Sequence, residues 1–240
     1  MYLFIDAGNT QVKYMLSNGD VLSTIERHST DAFLALLPSL PTLKQVLLAS
    51  VANDAFATSV NNWCQQNNTA YRQLTTEQTA FAINNSYGNY QTMGVDRWLA
   101  IVGAEEQYPN RNLIIIDSGT ATTIDILSAD KQHIGGWIVP GIELMANSLF
   151  QHTSKVFGQV ADIETLLFGD NTSDNVNFGV WAATIGVVNQ AIDLCATKKL
   201  SDSMLIFTGG YGERLNNAGK FHGKVISDLV FCGIKRYISC

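Results

Sequence analysis

Apolar positions along this chain change period repeatedly, and the changes mark out its elements. Leu3-Phe4-Ile5 is a continuous run of strand length that ends on Asp6 and a glycine turn. After it, Gln11 to Leu16 predicts a returning strand, Asn18-Gly19-Asp20 a tight turn, and Val21 to Ile25 a third strand, together an antiparallel meander. Ser29-Thr30 predicts the cap of a short helix through Leu37, stopped by Pro38 and Pro41. Val46 to Val51 reads as a buried strand. Asn53 to Gln66 reads as a helix, because Phe56, Val60 and Trp63 recur at helical spacing. The first half is therefore βββαβα, and a helix from Asp96 to Tyr108 joins it to the second.

The second half repeats the opening. Leu113 to Ile116 predicts a strand, Thr122 to Leu127 its return, Ala129-Asp130-Lys131 a turn, and His133 to Val139 a third strand interrupted by Gly135-Gly136. A helix follows Pro140-Gly141. A long helix from about Asn175 to Thr197 carries Phe178, Ala182, Ile185, Val188 and Ile192 on one side, a stripe expected in the core together with Trp137 and Trp181. Met204 to Thr208 reads as a strand, Gly212 to Ala218 as a short helix and Leu229 to Ile238 as a closing helix. The expected fold is α/β, two duplicated ribonuclease H-like (actin-like ATPase) βββαβα halves with a cleft between them. The halves are placed at residues 1–107 and 108–240.

What the halves share is chemical as well as periodic. Each apolar run leads into Asp, then Gly, then a hydroxyl residue: Asp6-Ala7-Gly8-Asn9-Thr10 and Asp117-Ser118-Gly119-Thr120-Ala121. Backbone N–H groups freed at a glycine turn point at anionic oxygens, and an Asp at a strand end can take Mg²⁺ directly or through water. One such turn is commonplace; the repetition after matching runs reads as two phosphate cradles that would clamp a nucleotide triphosphate. Lys13 reads either as a solvated strand lysine or as an ammonium over the phosphates. Asp96 reads either as a helix cap or as a proton acceptor, with Arg97 beside it offering a planar fork to a carboxylate. Thr208-Gly209-Gly210 reads as a structural turn or as a bare surface for adenine.

Composition narrows the classes. With 240 residues and 46% apolar content the chain can bury one large core or two small ones. A net charge of −6 and a pI near 5.1, without a Lys/Arg run, argue against nucleic-acid binding. The absence of a basic leader and of an uninterrupted apolar run of about 20 residues predicts a cytoplasmic protein with no membrane partner. Cys64, Cys195, Cys232 and Cys240 are spread out and read as reduced thiols, and His28, His133, His152 and His222 are equally scattered, so no His/Cys metal site is expected.

Taken in order, these motifs resemble the type III pantothenate kinases of the actin-like ATPase superfamily. The resemblance spans essentially the whole chain. It is carried by Asp6-Ala7-Gly8-Asn9-Thr10 with Lys13, Gly94-Val95-Asp96-Arg97-Trp98, Asp117-Ser118-Gly119-Thr120-Ala121, Gly136-Trp137-Ile138-Val139-Pro140-Gly141, Asn171-Thr172 and Thr208-Gly209-Gly210. It implies an enzyme that phosphorylates pantothenate with ATP, the first step of coenzyme A biosynthesis. The implied ATP site is Asp6, Ala7, Gly8, Asn9, Thr10, Gln11, Val12 and Lys13, with Thr120; Asp6 holds Mg²⁺ through water. Asp96 is the implied catalytic base, and Tyr87, Gly94, Val95, Asp96, Arg97 and Thr172 are the implied pantothenate contacts. Tyr87 stands seven residues before Gly94, as the substrate tyrosine of that family does. Asp117 is the implied holder of a monovalent cation, K⁺ or NH₄⁺, and a homodimer is implied, with the pantothenate pocket shared across its interface.

Two departures from the family pattern stand out. Tyr90 and Met93 replace the usual Pro and Leu before Gly94, so the loop lacks the fixed φ of proline. After Thr172, Asp174-Asn175 and Phe178-Gly179 replace the usual acidic-Ala and Ser-Gly patterns. Two other functions compete: an inactive regulatory or accessory protein of the same fold, and a kinase for another small hydroxy acid, which Asp96 beside Arg97 would serve equally well.

Overall fold

A computed structural model of the chain describes residues 1–8, 11–19, 21–51, 54–152, 158, 160–198, 200 and 202–239. Asn9, Thr10, Asp20, Asn53 and Cys240, named above, lie outside the described residues. The chain divides into two units: Met1–Phe81 with Tyr87–Gln107 and the chain from Asp228 onward, and Ala82–Ser86 with Tyr108–Ser227.

In the first unit β1 (Tyr2–Ala7), β2 (Val12–Ser17) and β3 (Glu26–His28) form the antiparallel meander, followed by α1 (Thr30–Leu36), β4 (Gln45–Ser50), α2 (Asp54–Gln66) and β5 (Ala70–Leu74). The sheet order is β3-β2-β1-β4-β5, with β4 and β5 parallel to β1. The central strand is covered on both faces, which is why its sequence is a continuous apolar run. Leu3, Ile5 and Ala7 join Phe33, Val46, Leu48, Phe56 and Val60 in a buried cluster under α1 and α2. Strand alternation puts Phe4 and Asp6 on the opposite face.

Three expectations for this unit need correction. The third strand is not Val21 to Ile25: only Leu22 bridges, to Ser17, while the Leu16 N–H is taken by Ser23 Oγ at 3.0 Å and pairing resumes where Tyr14 meets Glu26. β5 lies beyond the predicted βββαβα, and its polar alternation (Tyr71, Arg72, Gln73) hid it from an apolar-run reading. The closing helix, placed by sequence in the second half, packs in the first unit.

That packing rests on two glycines. Two short strands, β6 (Thr79–Ala80) and β7 (Ile83–Asn84), precede α3 (Val95–Gln107). A Cβ on Gly103 of α3 would stand 2.3 Å from the Leu229 carbonyl oxygen, and one on Gly233 would stand 2.1 Å from that of Leu99. Backbone thus touches backbone where α3 crosses the C-terminal helix. Trp98 Nε1 donates to the Tyr237 hydroxyl at 3.2 Å, and Arg236 pairs with the buried Glu105 at 2.8 Å, fastening the same contact.

The second unit repeats the plan with β8 (Leu113–Ser118), β9 (Ala121–Leu127), β10 (His133–Pro140), α4 (Ile142–His152), α5 (Thr172–Thr197), β11 (Met204–Thr208), α6 (Gly212–Ala218) and β12 (Lys224–Val225). Its sheet order is β10-β9-β8-β11-β12, antiparallel then parallel as in the first unit. α7 (Leu229–Lys235) is the closing helix already placed in the first unit, and it tightens into a single turn over Arg236–Ser239.

α5 begins at Thr172 rather than Asn175, because Asn171 caps it by accepting the Asp174 N–H at 3.0 Å. Its buried face is Val180, Trp181, Thr184, Ile185, Val188, Ala191 and Cys195. Phe178 and Trp137 are half-buried and Ala182 is exposed, so the stripe is turned from the one expected. By length and apolar content α5 could also cross a membrane, although no uninterrupted apolar run of that length appears; here that face packs against Ile114, Ile116 and Ile124.

Candidate active site

Asp6 and Asp117 hold the same place in the two sheets. Each is the penultimate residue of the central strand, and each is followed by a glycine that closes a turn: Gly8 N–H donates to the Gln11 carbonyl at 3.0 Å, and Gly119 N–H to that of Ala121 at 2.9 Å. The neighbours differ. Across the antiparallel ladder Asp6 meets Lys13, whereas Asp117 meets Thr123; across the parallel ladder Asp6 meets Ala49 and Asp117 meets Thr208.

In the first unit, Lys13 Nζ stands 3.6 Å from Asp6 Oδ2. Burial pushes the Asp6 carboxyl above its ordinary range; Lys13 acts against this and the Asp96 carboxylate adds to it. Asp6 and Asp96 are therefore electrostatic neighbours within one unit. Ala7 and Val12 bury their side chains in the core, so only their backbone can meet a ligand, while Gln11 is exposed.

Asp96 occupies the first turn of α3, where unpaired N–H groups and the helix dipole favour an anion. Its carboxylate accepts the Arg97 N–H at 2.8 Å. Gly94 accepts the first helical bond, from Trp98 N–H, and a Cβ there would fall 2.5 Å from Asp96 Oδ1, so the bare Gly94 makes room for the carboxylate. Val95 is buried at the helix start. Arg97 is 6% exposed; its Nη1 donates to the Tyr87 hydroxyl at 2.9 Å, and its guanidinium lies 5.8 Å from the Tyr87 ring centre. Tyr87, Gly94, Asp96 and Arg97 are brought together in the first unit with Asp6 and Lys13.

Thr120, Asp117 and Thr172 belong to the second unit. Thr120 is exposed at the turn after β8, where its carbonyl accepts the Gly141 N–H at 3.0 Å; a Cβ on Gly141 would stand 2.2 Å from the Gly119 carbonyl oxygen. Thr172 is the exposed first residue of α5. Gly209, at φ +84°, leaves room for Asp117: a Cβ there would lie 2.3 Å from Asp117 Oδ1. The open surface of the Gly209-Gly210 pair is thus at Gly210.

Sequence reasoning passed over Tyr211, which follows this turn. Its hydroxyl donates to Glu143 at 2.7 Å, and Arg214 lies over its ring at 4.6 Å and donates to the Gly210 carbonyl at 3.1 Å. Burial first, then the Glu143 carboxylate, pushes the Tyr211 phenol upward. Tyr211 directly follows the flagged glycine pair in sequence, which is the signal that could have found it.

The chain is similar to known proteins over nearly all its length. The family model for type III pantothenate kinase matches residues 2–194. A type III pantothenate kinase of Colwellia psychrerythraea is 34% identical, the match covering 99% of this chain and 100% of that one. Among solved structures, a conserved Campylobacter jejuni protein described as a Baf family transcriptional activator superposes with a TM-score of 0.65 at 23% identity, covering 99% of this chain and 97% of that one. MreB5 of Spiroplasma citri bound to ADP superposes with a TM-score of 0.52 at 11% identity, covering 99% and 96%. At those identities the two structures establish the fold alone, an α/β fold of the actin-like type. With the family model matching four-fifths of its residues, the chain belongs to the type III pantothenate kinase family.

Proposed function

We propose that this chain transfers the γ-phosphoryl group of ATP to the primary hydroxyl of pantothenate, opening coenzyme A biosynthesis, with Asp96 as the residue that orients and deprotonates that hydroxyl. The observation that carries the reading is the placing of Asp96 at the start of α3, an electrostatic neighbour of Asp6 and adjacent to the Arg97–Tyr87 pair. The hydroxyl oxygen attacks the γ-phosphorus, the bond to the β-phosphate oxygen breaks, ADP leaves, and the hydroxyl proton passes to the Asp96 carboxylate. Transition states of this kind are loose, so positioning and charge stabilisation dominate and a strong base is not required.

Arg97 and Tyr87 bind the pantothenate carboxylate end, Gly94 and Val95 shape the loop, and Thr172 is a further pantothenate contact. The backbone of residues 6–13 and the Lys13 ammonium bind the phosphates, and Thr120 contacts ATP. Asp6 suits a divalent cation: a buried carboxyl whose charge is disfavoured by burial and by Asp96 gains most from a metal counter-charge. Such an ion, when bound, neutralises phosphate charge. Asp117, flanked by Thr123 and Thr208, takes K⁺ or NH₄⁺. The enzyme acts in the cytoplasm as a homodimer, whose candidate faces are α4 and the exposed side of α5.

The test is ADP release with ATP, Mg²⁺ and pantothenate, run in K⁺, NH₄⁺ and Na⁺. Pantothenate-dependent turnover that needs K⁺ or NH₄⁺ is expected, and Asp96→Asn lowers kcat by roughly 10²–10⁴ with ATP binding retained. ATP binding without turnover in the wild type would overturn the reading.

A further inference from the structure

The segment Tyr87 to Gly94 contains no proline to fix its shape, and the first unit contains a side chain placed to hold it. Thr76 follows β5, a strand tied to the sheet through β4. It is 6% exposed, and its hydroxyl donates to the Met93 carbonyl at 2.7 Å. Met93 is itself buried and adjoins Gly94. From Gly94 the chain of contact is short, because the glycine starts α3 and its Cα face packs against the Asp96 carboxylate. On the other side of Met93 the segment is closed by local bonds: Met93 N–H to the Tyr90 carbonyl at 3.1 Å, and Thr92 Oγ1 to that of Asn89 at 2.7 Å.

We infer that Thr76 is a positioning residue for phosphoryl transfer: through the Met93 carbonyl it fixes the Met93–Gly94 peptide and so the approach of Asp96 to the substrate hydroxyl. Proline would stiffen such a loop by fixing φ; here a buried hydrogen bond to a sheet-anchored threonine does the work. The inference rests on the role proposed for Asp96.

Its test compares Thr76→Val, which keeps the shape and loses the hydroxyl, with Thr76→Ser, which keeps the hydroxyl. Steady-state kinetics for each substrate are measured well below the melting temperature of each variant. Thr76→Val is expected to lower kcat/KM for pantothenate about tenfold, the size of one buried hydrogen bond, with KM for ATP within about twofold. Thr76→Ser is expected to return pantothenate kinetics to within about twofold of wild type. Pantothenate kinetics unchanged in Thr76→Val, or a parallel loss for ATP and pantothenate, overturns the inference. If Thr76→Val does not fold, Thr76→Ala and Thr76→Ser decide: a loss confined to alanine and to pantothenate supports it, and equal behaviour overturns it. Asp96→Asn in the same assay separates the two ideas, since full turnover there refutes the base itself and leaves any Thr76 effect without its route.

Discussion

Asp6 and Lys13 are direct partners across the β1–β2 ladder, with Lys13 Nζ 3.6 Å from Asp6 Oδ2, yet the pairing does not offset the burial of the carboxyl. Because the folded-state value lies above the ordinary 3.8, the native protein holds the Asp6 proton more tightly than the unfolded chain does. Stability from this site is therefore lost as pH rises from about 3.8 through the raised value. Asp6→Asn is expected to melt higher than wild type at pH 7 without ligands, the gain shrinking as pH falls towards 3.8. The same variant loses turnover by roughly 10²–10³. Thermal unfolding across pH checks the first expectation; a lower melting temperature for Asp6→Asn at neutral pH would show that the ion pair, and not burial, governs the site.

The Arg97–Tyr87 pair makes a prediction about substrate selection. Tyr87→Phe removes the acceptor 2.9 Å from Arg97 Nη1. Hydrogen bonds to charged groups contribute about 1.5–3 kcal/mol, so KM for pantothenate is expected to rise about tenfold or more, with KM for ATP little changed. Arg97→Lys loses the planar fork and is expected to be at least as damaging. A Tyr87→Phe enzyme that instead loses affinity for ATP would place this pair elsewhere in the reaction.

The glycine crossing predicts a stability defect. Gly233→Ala forces a methyl group to 2.1 Å from the Leu99 carbonyl oxygen, where only backbone can give way. Overpacking of this kind costs about 1–3 kcal/mol, more than the helix propensity alanine gains. Denaturant unfolding is expected to show the loss. An unchanged midpoint would mean that α7 can slide along α3.

Much of the architecture was legible because its signals are local. The duplicated Asp-x-Gly after an apolar run located both central strands, and the motif from Gly94 to Arg97 located the first turn of α3. What escaped depends on partners distant in sequence. The polar β5 is a strand because β4 pairs with it, and Leu22 is only a bridge because Ser23 diverts the ladder. Gly103 and Gly233 announce nothing until the helices carrying them cross. Thr76 lies seventeen residues from the carbonyl it holds, and no spacing rule links the two.

The return of α7 to the first unit has a consequence for how the protein is made. The second unit is continuous from Tyr108 to Ser227 apart from the short piece Ala82–Ser86, whereas the first needs residues from Asp228 onward to complete it. During synthesis Leu99 and Gly103 wait uncovered until α7 leaves the ribosome. A premature stop or a proteolytic nick near residue 228 would therefore strike the unit that carries Asp96, although the break lies more than a hundred residues away from it.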